Sequence, residues 1–183
     1  MKFKILLIGF AWLAGAMCPA HAQEKVLKGA QVTESALIDA LTIEGPEAAS
    51  GATRGFRPAA RADGKAPNAG PGKANLLITF ETNSSELTSE SQAALTALGR
   101  ALQSDALAGF SFRVEGHSDA RGDPARNMEL SQMRAESVAN YLVKSQGILP
   151  ERLKAIGKAS SEPLNLARVD APENRRVTIV TVR

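Results

Sequence analysis

One carboxylate and one guanidinium in the second half of the chain have the types and the spacing to bind a small zwitterion. Asp119 lies in a glycine-bearing loop that covers residues 116–123, and Arg134 lies about three turns into the helix predicted to follow. Asn127 and Leu130 are spaced so that they share one face of this helix with Arg134. If the loop folds back over this face, Asp119 can accept an ammonium group and Arg134 can bind a carboxylate in a bidentate manner. A structural ion pair between the two residues, which would only fix the loop, is the alternative.

The same loop contains the residue types of a hydrolytic relay. His117, Ser118 and Asp119 are adjacent in the chain, whereas a relay needs side chains that converge from separate places. A hydrolase or peptidase built on them is therefore the weaker hypothesis, and we expect a protein that is not an enzyme. No histidine other than His117 and no cysteine occurs after residue 22. No metal site and no cofactor is therefore predicted.

The charge of the chain gives no reason to expect nucleic acid or an anionic membrane surface as a partner. The 183 residues have a formal net charge of +3 and a pI near 9.2. Two of these positive charges, Lys2 and Lys4, belong to the N-terminal leader, residues 23–74 carry 7 basic and 6 acidic groups, and residues 75–183 carry 13 of each. The basic pI therefore does not reflect a basic patch. The hydrophobic content of 44% is that of a globular protein.

Residues 1–22 have the three parts of a secretory signal peptide. A basic start, an apolar run over residues 5–17 and a small-x-small ending at Ala22 predict export with cleavage after Ala22. A lipoprotein signal that acylates Cys18 is the alternative, and it is disfavoured because the large Met17 stands where a small residue is needed. Because Cys18 leaves with the leader, we expect a soluble periplasmic protein without disulfides.

Residues 23–74 are predicted to form a mostly disordered N-terminal segment and linker. One short amphipathic helix is predicted from Thr33 to Leu41, with Thr33 as its N-cap. From Gly45 to Gly72 the composition turns to Gly, Ala, Pro and scattered charge, which predicts a disordered linker. Within it, residues 54–57 place Phe56 between two arginines. We interpret them as linker sequence, with a short motif that docks on another protein as the alternative.

Residues 75–183 alternate between strand and helix patterns, and we expect the folded domain to begin near Ala74 and to cover this range. The predicted elements are a strand over Leu76–Phe80, a helix from Thr88 to about Ser104, a strand over Phe110–Glu115, a helix from Asp123 to about Gln146 that Gly147 ends, a weak strand over Leu153–Ile156 and a strand over Arg176–Val182. The second helix is predicted to bury Leu130, Met133, Val138 and Leu142. The order β-α-β-α-β-β predicts an α/β (α+β) two-layer sandwich with its helices on one face of a mixed sheet.

The motifs of this region resemble those of a known family. They are Gly116-His117-Ser118-Asp119, Gly122, Asn127, Leu130-Ser131, Arg134-Ala135, Val138, Tyr141-Leu142, Gly147-Ile148, Arg152-Leu153, Gly157, Glu162-Pro163 and Asn174-Arg175-Arg176-Val177. In type and spacing they are similar to the OmpA-type C-terminal domain, which peptidoglycan-associated lipoprotein and the periplasmic part of flagellar stator proteins share. The resemblance covers roughly residues 75–183.

The resemblance implies non-covalent binding of peptidoglycan through the diaminopimelate residue of its stem peptide. Asp119 would hold the ammonium group and Arg134 the carboxylate at the side-chain end of that residue. The other pocket residues that it implies are Ser118, Asn127, Leu130, Arg175, Thr82 and Asn83. Because alternation sends Arg175 and Arg176 to opposite faces of the last strand, at most one of them points at the pocket, and we predict Arg175.

The resemblance leaves two roles open for the protein. The leading hypothesis is a binding module that tethers or organises the cell envelope, with residues 23–72 free to engage another envelope protein. The alternative is a periplasmic assembly adaptor that acts mainly through residues 23–72. A membrane anchor is not implied by the resemblance, so we predict that any association with the outer membrane runs through a partner.

Overall fold

A five-stranded mixed sheet organises the chain. The structure is a computed structural model that describes residues 26–43, 71–80 and 84–182. The strand order is β1-β2-β5-β3-β4, where the strands are β1 (Val26–Leu27), β2 (Lys73–Leu76), β3 (Ser111–His117), β4 (Leu153–Ala159) and β5 (Val177–Val182). The central strand β5 runs antiparallel to β2 and β3, whereas the pairs β1–β2 and β3–β4 are parallel.

Three capped helices accompany the sheet, namely α1 (Glu34–Leu41), α2 (Ser89–Gln103) and α3 (Pro124–Gln146). The side chains of Thr33, Thr88 and Asp123 accept hydrogen bonds from the first-turn amides of α1, α2 and α3. Gly147 ends α3 in the left-handed conformation with φ of 68°. The predicted caps and the bounds of all three helices are confirmed.

The core lies between the helices and one face of the sheet. Phe112 and Val114 of β3 and Ile179 of β5 are fully buried, as strand alternation requires. The predicted apolar face of α2 packs against them through Leu95, Leu98 and Leu102. The predicted two-layer sandwich with a mixed sheet is therefore confirmed.

The N-terminal elements β1 and α1 belong to the same core. Leu37 and Leu41 of α1 are fully buried, and the Thr181 hydroxyl of β5 donates a hydrogen bond to the Leu41 carbonyl at 2.7 Å. The prediction that the folded part begins near Ala74 is therefore wrong, because an eight-residue helix that is too short to stand alone is stabilised here by tertiary packing. The predicted signal peptide, Cys18 and nearly all of the predicted linker lie outside the described residues.

The first predicted strand is displaced along the chain. A strand over Leu76–Phe80 was expected, but β2 covers Lys73–Leu76. The Thr79 backbone lies outside the sheet and bonds to Ser91 of α2. Ser91 causes this departure, because its hydroxyl accepts from the Thr79 amide at 2.9 Å and donates to the Thr79 carbonyl at 2.7 Å. Ile78 and Phe80 therefore pack against the core cluster instead of continuing the strand, while the Leu77 amide still donates to the Leu27 carbonyl of β1.

Two other strands extend further than predicted. β3 runs to His117, so Gly116 and His117 belong to the strand and the loop covers only residues 118–123. β4 continues to Ala159, three residues beyond the expected end. Both extensions follow from the parallel pairing of β3 with β4, in which Gly116 lies opposite Gly157.

The buried face of α3 differs from the predicted one. Met133 is 40% exposed and Leu130 only half-buried, whereas the residues buried on this helix are Ser131, Ala135, Val138 and Leu142. A Cβ atom on Gly116 would lie 2.2 Å from the Ser131 carbonyl oxygen, so the helix packs directly on the strand backbone. Small residues must therefore form this contact, which rotates the larger Met133 outward.

Within the part of the chain that the structure describes, no helix combines the length and the apolar character that a membrane span requires.

Candidate functional site

The loop between β3 and α3 is held by backbone hydrogen bonds on both sides. The Ser118 amide donates to the Ala159 carbonyl at 2.9 Å, and the Ala120 amide donates to the Val169 carbonyl at 3.1 Å. Asn127 closes the loop from α3, because its Nδ2 donates to the Arg121 carbonyl at 2.7 Å. These bonds fix the position of Asp119 between the end of the sheet and the first turn of α3.

Asp119 is an almost fully buried carboxylate with two arginine partners. Its Oδ2 accepts from Arg121 Nη2 at 2.8 Å and from Arg175 Nη1 at 2.9 Å, and its Oδ1 accepts from the Arg121 amide at 3.1 Å. Burial alone would raise the pKa of the Asp119 carboxyl, but the hydrogen bonds from Arg121 and Arg175 outweigh it and hold the pKa below its ordinary value. The site therefore contains a permanent negative charge at neutral pH.

Arg134 lies in the same region without bonding to Asp119. Its Nε donates to the Ser84 carbonyl at 3.3 Å, and its guanidinium carbon lies 4.9 Å from the centre of the Phe80 ring. Burial and the charge of Arg175 lower the pKa of Arg134 from its ordinary value, and the charge of Asp119 partly offsets them. The ion pairs of Asp119 that the structure describes are with Arg121 and Arg175, so the alternative of a direct Asp119–Arg134 pair is wrong.

The terminal nitrogens of Arg134 have no hydrogen-bond partner in the part of the chain that the structure describes. Its Nε is used by Ser84 and its ring contact is with Phe80, while neither Nη atom hydrogen-bonds to another described residue. These two contacts hold the guanidinium in place. Two parallel N–H groups in a fixed orientation are the geometry that binds a carboxylate in a bidentate manner.

The two residues before β5 provide one arginine to the site and one to the sheet. Arg175 is half-exposed and bonds to Asp119, whereas Arg176 is buried and donates to the Asn75 side chain at 3.3 Å and to the Glu162 carbonyl at 3.1 Å. Arg175, the arginine predicted for the pocket, is thus the one of the two that bonds to Asp119. The buried Asn174 fixes the turn before them, because its Oδ1 accepts from two backbone amides.

The other predicted pocket residues have different positions. The Asn127 side chain supports the loop by its hydrogen bond to the Arg121 carbonyl. Leu130 is half-buried on the same face of α3 as Arg134. Ser118 is buried, and its hydroxyl has no hydrogen-bond partner among the described residues. Thr82 and Asn83 lie outside the described residues. Phe80 and Ser84, the described residues on either side of them, both contact Arg134.

His117 does not have the environment of a catalytic base. Its side chain is 3% exposed, and neither ring nitrogen has a hydrogen-bond partner among the described residues. Burial, followed by the charge of Arg176, lowers the pKa of His117 to about 3. Because neither His117 nitrogen is bonded to the Ser118 hydroxyl, the first link of the relay considered above is absent from the described residues.

Sequence reasoning missed three residues of the site. Arg121 lies in the predicted loop over residues 116–123, and a signal for it exists, since an aspartate commonly accepts from the amide two residues later. Phe80 and Ser84 touch Arg134 only through the tertiary fold, and no local pattern in the sequence predicts those contacts.

Comparison with known proteins gives consistent matches. A family model described as "OmpA family" matches residues 79–176. The outer-membrane lipoprotein YfiB of Pseudomonas aeruginosa is 35% identical over 105 residues, which are 56% of this chain and 61% of that protein. The peptidoglycan-associated lipoprotein of the same species is 31% identical over 136 residues, which are 73% of this chain and 76% of that protein. The chain thus spans less than two thirds of the length of YfiB.

A solved structure shares both the fold and part of the sequence. It is the cell wall anchor of the T6SS from Pseudomonas aeruginosa, which is 29% identical to this chain and superimposes with a TM-score of 0.50. The match covers 61% of this chain and 80% of that one.

Proposed function

Because this chain belongs to the OmpA family, we propose that it binds peptidoglycan non-covalently and so tethers or organises the cell envelope. Two similar proteins, named as a peptidoglycan-associated lipoprotein and as a cell wall anchor, support this proposal by their names. The observation that carries it is the pairing of a buried, ionised Asp119 with an Arg134 whose terminal nitrogens are unoccupied by any described residue.

The ligand that we propose for this pocket is the diaminopimelate of the stem peptide. Its free end is a zwitterion, so Asp119 would accept the ammonium group and Arg134 would bind the carboxylate. Arg175 lowers the pKa of Asp119 through its hydrogen bond and the pKa of Arg134 through its charge. It would lie beside the carboxylate of the ligand. Asn127 would keep the loop in place.

Ser118 and Leu130 would border the same pocket, because one begins the loop and the other shares the helix face of Arg134. Thr82 and Asn83, which lie outside the described residues, remain proposed pocket residues. Phe80 and Ser84 support this proposal, because they flank that pair and contact Arg134.

Binding accounts for the site better than hydrolysis does. A hydrolase would need a nucleophile that is hydrogen-bonded to a base, and neither the Ser118 hydroxyl nor the His117 nitrogens have such a bond among the described residues. A neutral His117 with a pKa of about 3 is also far from the range that suits a general base near neutral pH. We therefore propose that the protein is not an enzyme.

The similar proteins are named as outer-membrane and peptidoglycan-associated proteins, which supports a place in the cell envelope. We propose that residues 1–22 direct export and are removed after Ala22, which leaves the protein in the periplasm. Of residues 23–72, those over 26–43 pack on the domain. An adaptor role would therefore fall to residues 44–70, which lie outside the described residues.

Sedimentation with purified sacculi tests the proposal. Asp119→Asn and Arg134→Gln remove one charge each, and each should weaken wall binding about tenfold to a hundredfold, the usual effect of losing a charged hydrogen-bonding partner. Asp105→Asn and Arg100→Gln remove the same charges from exposed positions outside the pocket and should bind like the wild type. Wild-type binding by both pocket variants would refute the assignment, and release of soluble wall fragments would favour a hydrolase.

Amidated diaminopimelate tests the carboxylate contact separately. Wild-type protein should bind a stem tetrapeptide with free diaminopimelate more tightly than one in which the side-chain carboxylate is an amide. Arg134→Gln should bind both peptides equally weakly, since it lacks the group that distinguishes them. Titration calorimetry with both peptides measures this difference, and an unchanged preference in the variant would assign the carboxylate to another residue.

A further inference from the structure

A polar groove between α2 and α3 begins beside Arg134. It has a volume of about 510 Å³ and is lined by Ser85, Glu86, Leu87, Gln92, Ser137, Asn140, Tyr141, Lys144 and Ser145. Arg134 donates to the carbonyl of Ser84, whose neighbour Ser85 forms the near end of the groove. Ser137 and Tyr141 follow Arg134 on the same face of α3, at spacings of three and seven residues. The groove therefore continues the proposed diaminopimelate pocket along the helix.

The polar groups of this groove are available for binding. The side chains of Ser85, Ser137, Asn140 and Lys144 make no hydrogen bond with any other described residue. The floor is fixed, because the Tyr141 hydroxyl lies 3.4 Å from the Gln92 carbonyl, to which it donates, and 3.3 Å from the Thr96 hydroxyl. The groove thus presents unused hydroxyl, amide and ammonium groups on a rigid base.

The chemistry of the lining favours a neutral ligand. Glu86 and Lys144 contribute one charge of each sign, so the groove has no net charge to attract an anionic peptide. Leu87 and Tyr141 add apolar surface beside the hydroxyl and amide groups. A ring with hydroxyl and acetamido groups at its edge and C–H groups on its face matches this mixture of polar and apolar surface.

We propose that this groove binds an N-acetylated sugar of the glycan strand whose stem peptide occupies the Asp119–Arg134 pocket. The inference rests on the proposed function and extends it from the peptide to the glycan. Two amino acids and a lactyl group separate diaminopimelate from the sugar, a reach of roughly 10 Å at about 3.3–3.6 Å per residue. Tyr141 lies roughly 10 Å along α3 from Arg134 at about 1.5 Å per residue. The reach is that of an extended chain and excludes the diaminopimelate side chain, so the linkage is long enough for one wall fragment to occupy both sites.

Calorimetry with two defined ligands tests this inference. The first ligand is the stem tetrapeptide with free diaminopimelate, and the second is the same tetrapeptide attached to its N-acetylglucosamine–N-acetylmuramic acid disaccharide. Wild-type protein should bind the second about tenfold more tightly, the effect expected of one or two added hydrogen bonds. Asn140→Ala, which removes an exposed amide, and Ser137→Phe, which fills the groove, should lose this gain and still bind the tetrapeptide. Met133→Phe, at an exposed position of α3 outside the groove, should retain the gain.

The outcomes separate this inference from the proposed function. Equal affinity of wild-type protein for the two ligands, or a gain that both groove variants retain, would overturn the glycan site and leave the peptide pocket in place. Failure of wild-type protein to bind either ligand would overturn the peptide pocket, and the glycan site with it.

Discussion

The guanidinium of Arg175 donates from Nη1 to Oδ2 of Asp119 at 2.9 Å and so joins two residues that are 56 positions apart in the chain. Arg121 bonds to the same oxygen from the other side, with its side chain 64% exposed. Arg175 is anchored by the turn that Asn174 fixes, whereas the side-chain hydrogen bonds of Arg121 to described residues all go to Asp119. In the proposed binding mode, the ammonium group of the ligand would share the carboxylate with Arg175 and displace Arg121.

Replacing Arg121 with alanine should strengthen ligand binding. The substitution removes the competing guanidinium, while the Arg121 amide keeps its hydrogen bond to Oδ1 of Asp119. Since exposed ion pairs are worth little, the affinity for the diaminopimelate tetrapeptide should rise only about two- to fivefold. Titration calorimetry measures the change, with Arg126→Ala as a control at a nearby exposed arginine. A tenfold loss of affinity would mean that Arg121 itself contacts the ligand.

The buried His117 should make the fold less stable in acid. The unfolded chain binds a proton at this histidine near pH 6.5, whereas the folded pKa is about 3, because burial and the Arg176 charge oppose protonation. Lys73 and Lys158 also oppose it, and Glu162 favours it. Between these two pH values the unfolded state binds more protons, so the free energy of unfolding must fall as the pH falls.

Urea unfolding of the wild type and of His117→Gln from pH 7 to pH 4 checks this prediction. Acidification should cost the wild type more stability than the variant, because the variant lacks the titrating group. Carboxylates that do not interact with His117 titrate alike in both proteins and cancel in the difference, whereas Glu162, whose pKa the His117 charge lowers, cancels only in part. An imidazole signal that titrates near pH 6.5 in the folded protein would contradict the prediction.

We predict that substitution of Gly116 disrupts the packing of α3 on β3. Its missing Cβ atom leaves room for the Ser131 carbonyl, which a Cβ would approach to 2.2 Å. Gly116→Ala should therefore push α3 away from β3 and destabilise the protein by about 1–3 kcal/mol. Since Arg134 is one turn further along α3, ligand binding should weaken as well.

Gly109→Ala provides the matched control. A Cβ atom there would meet no atom within 4 Å, so the variant should remain within about 0.5 kcal/mol of the wild type. Urea unfolding of both variants compares the two glycines directly. Equal stabilities for the two would show that α3 can move away from the sheet without cost.

The elements that local patterns specify were predictable, and those that depend on tertiary packing were not. Asp123 followed by Pro124, and Gly147 at the other end, define α3 because capping and proline geometry act within a few residues. The departure of Thr79 from the sheet depends on Ser91, twelve residues away, and no strand pattern contains that information. Met133 was wrongly predicted to be buried for a similar reason, since helical spacing does not reveal which face of α3 packs on a glycine.

The same division holds for the site. Strand alternation predicted that at most one of Arg175 and Arg176 points at the pocket, and the structure shows Arg175 bonded to Asp119. The partners of Asp119 did not follow from local properties, because helix spacing brings Arg134 toward the loop without deciding which arginine reaches the carboxylate. That decision depends on Phe80 and Ser84, which hold Arg134 from the opposite side.

The buried residues of α1 should contribute to the stability of the fold, although the helix is short and the sequence around it is polar. Leu37 is fully buried in the cluster that also contains Leu41 and Leu98. Leu37→Ala should therefore cost about 2–5 kcal/mol in the free energy of unfolding, the range for buried leucines. Asp39→Ala, at an exposed position of the same helix, should change it by less than about 0.5 kcal/mol. Urea unfolding distinguishes the two, and a small effect of Leu37→Ala would mean that the domain is stable without α1.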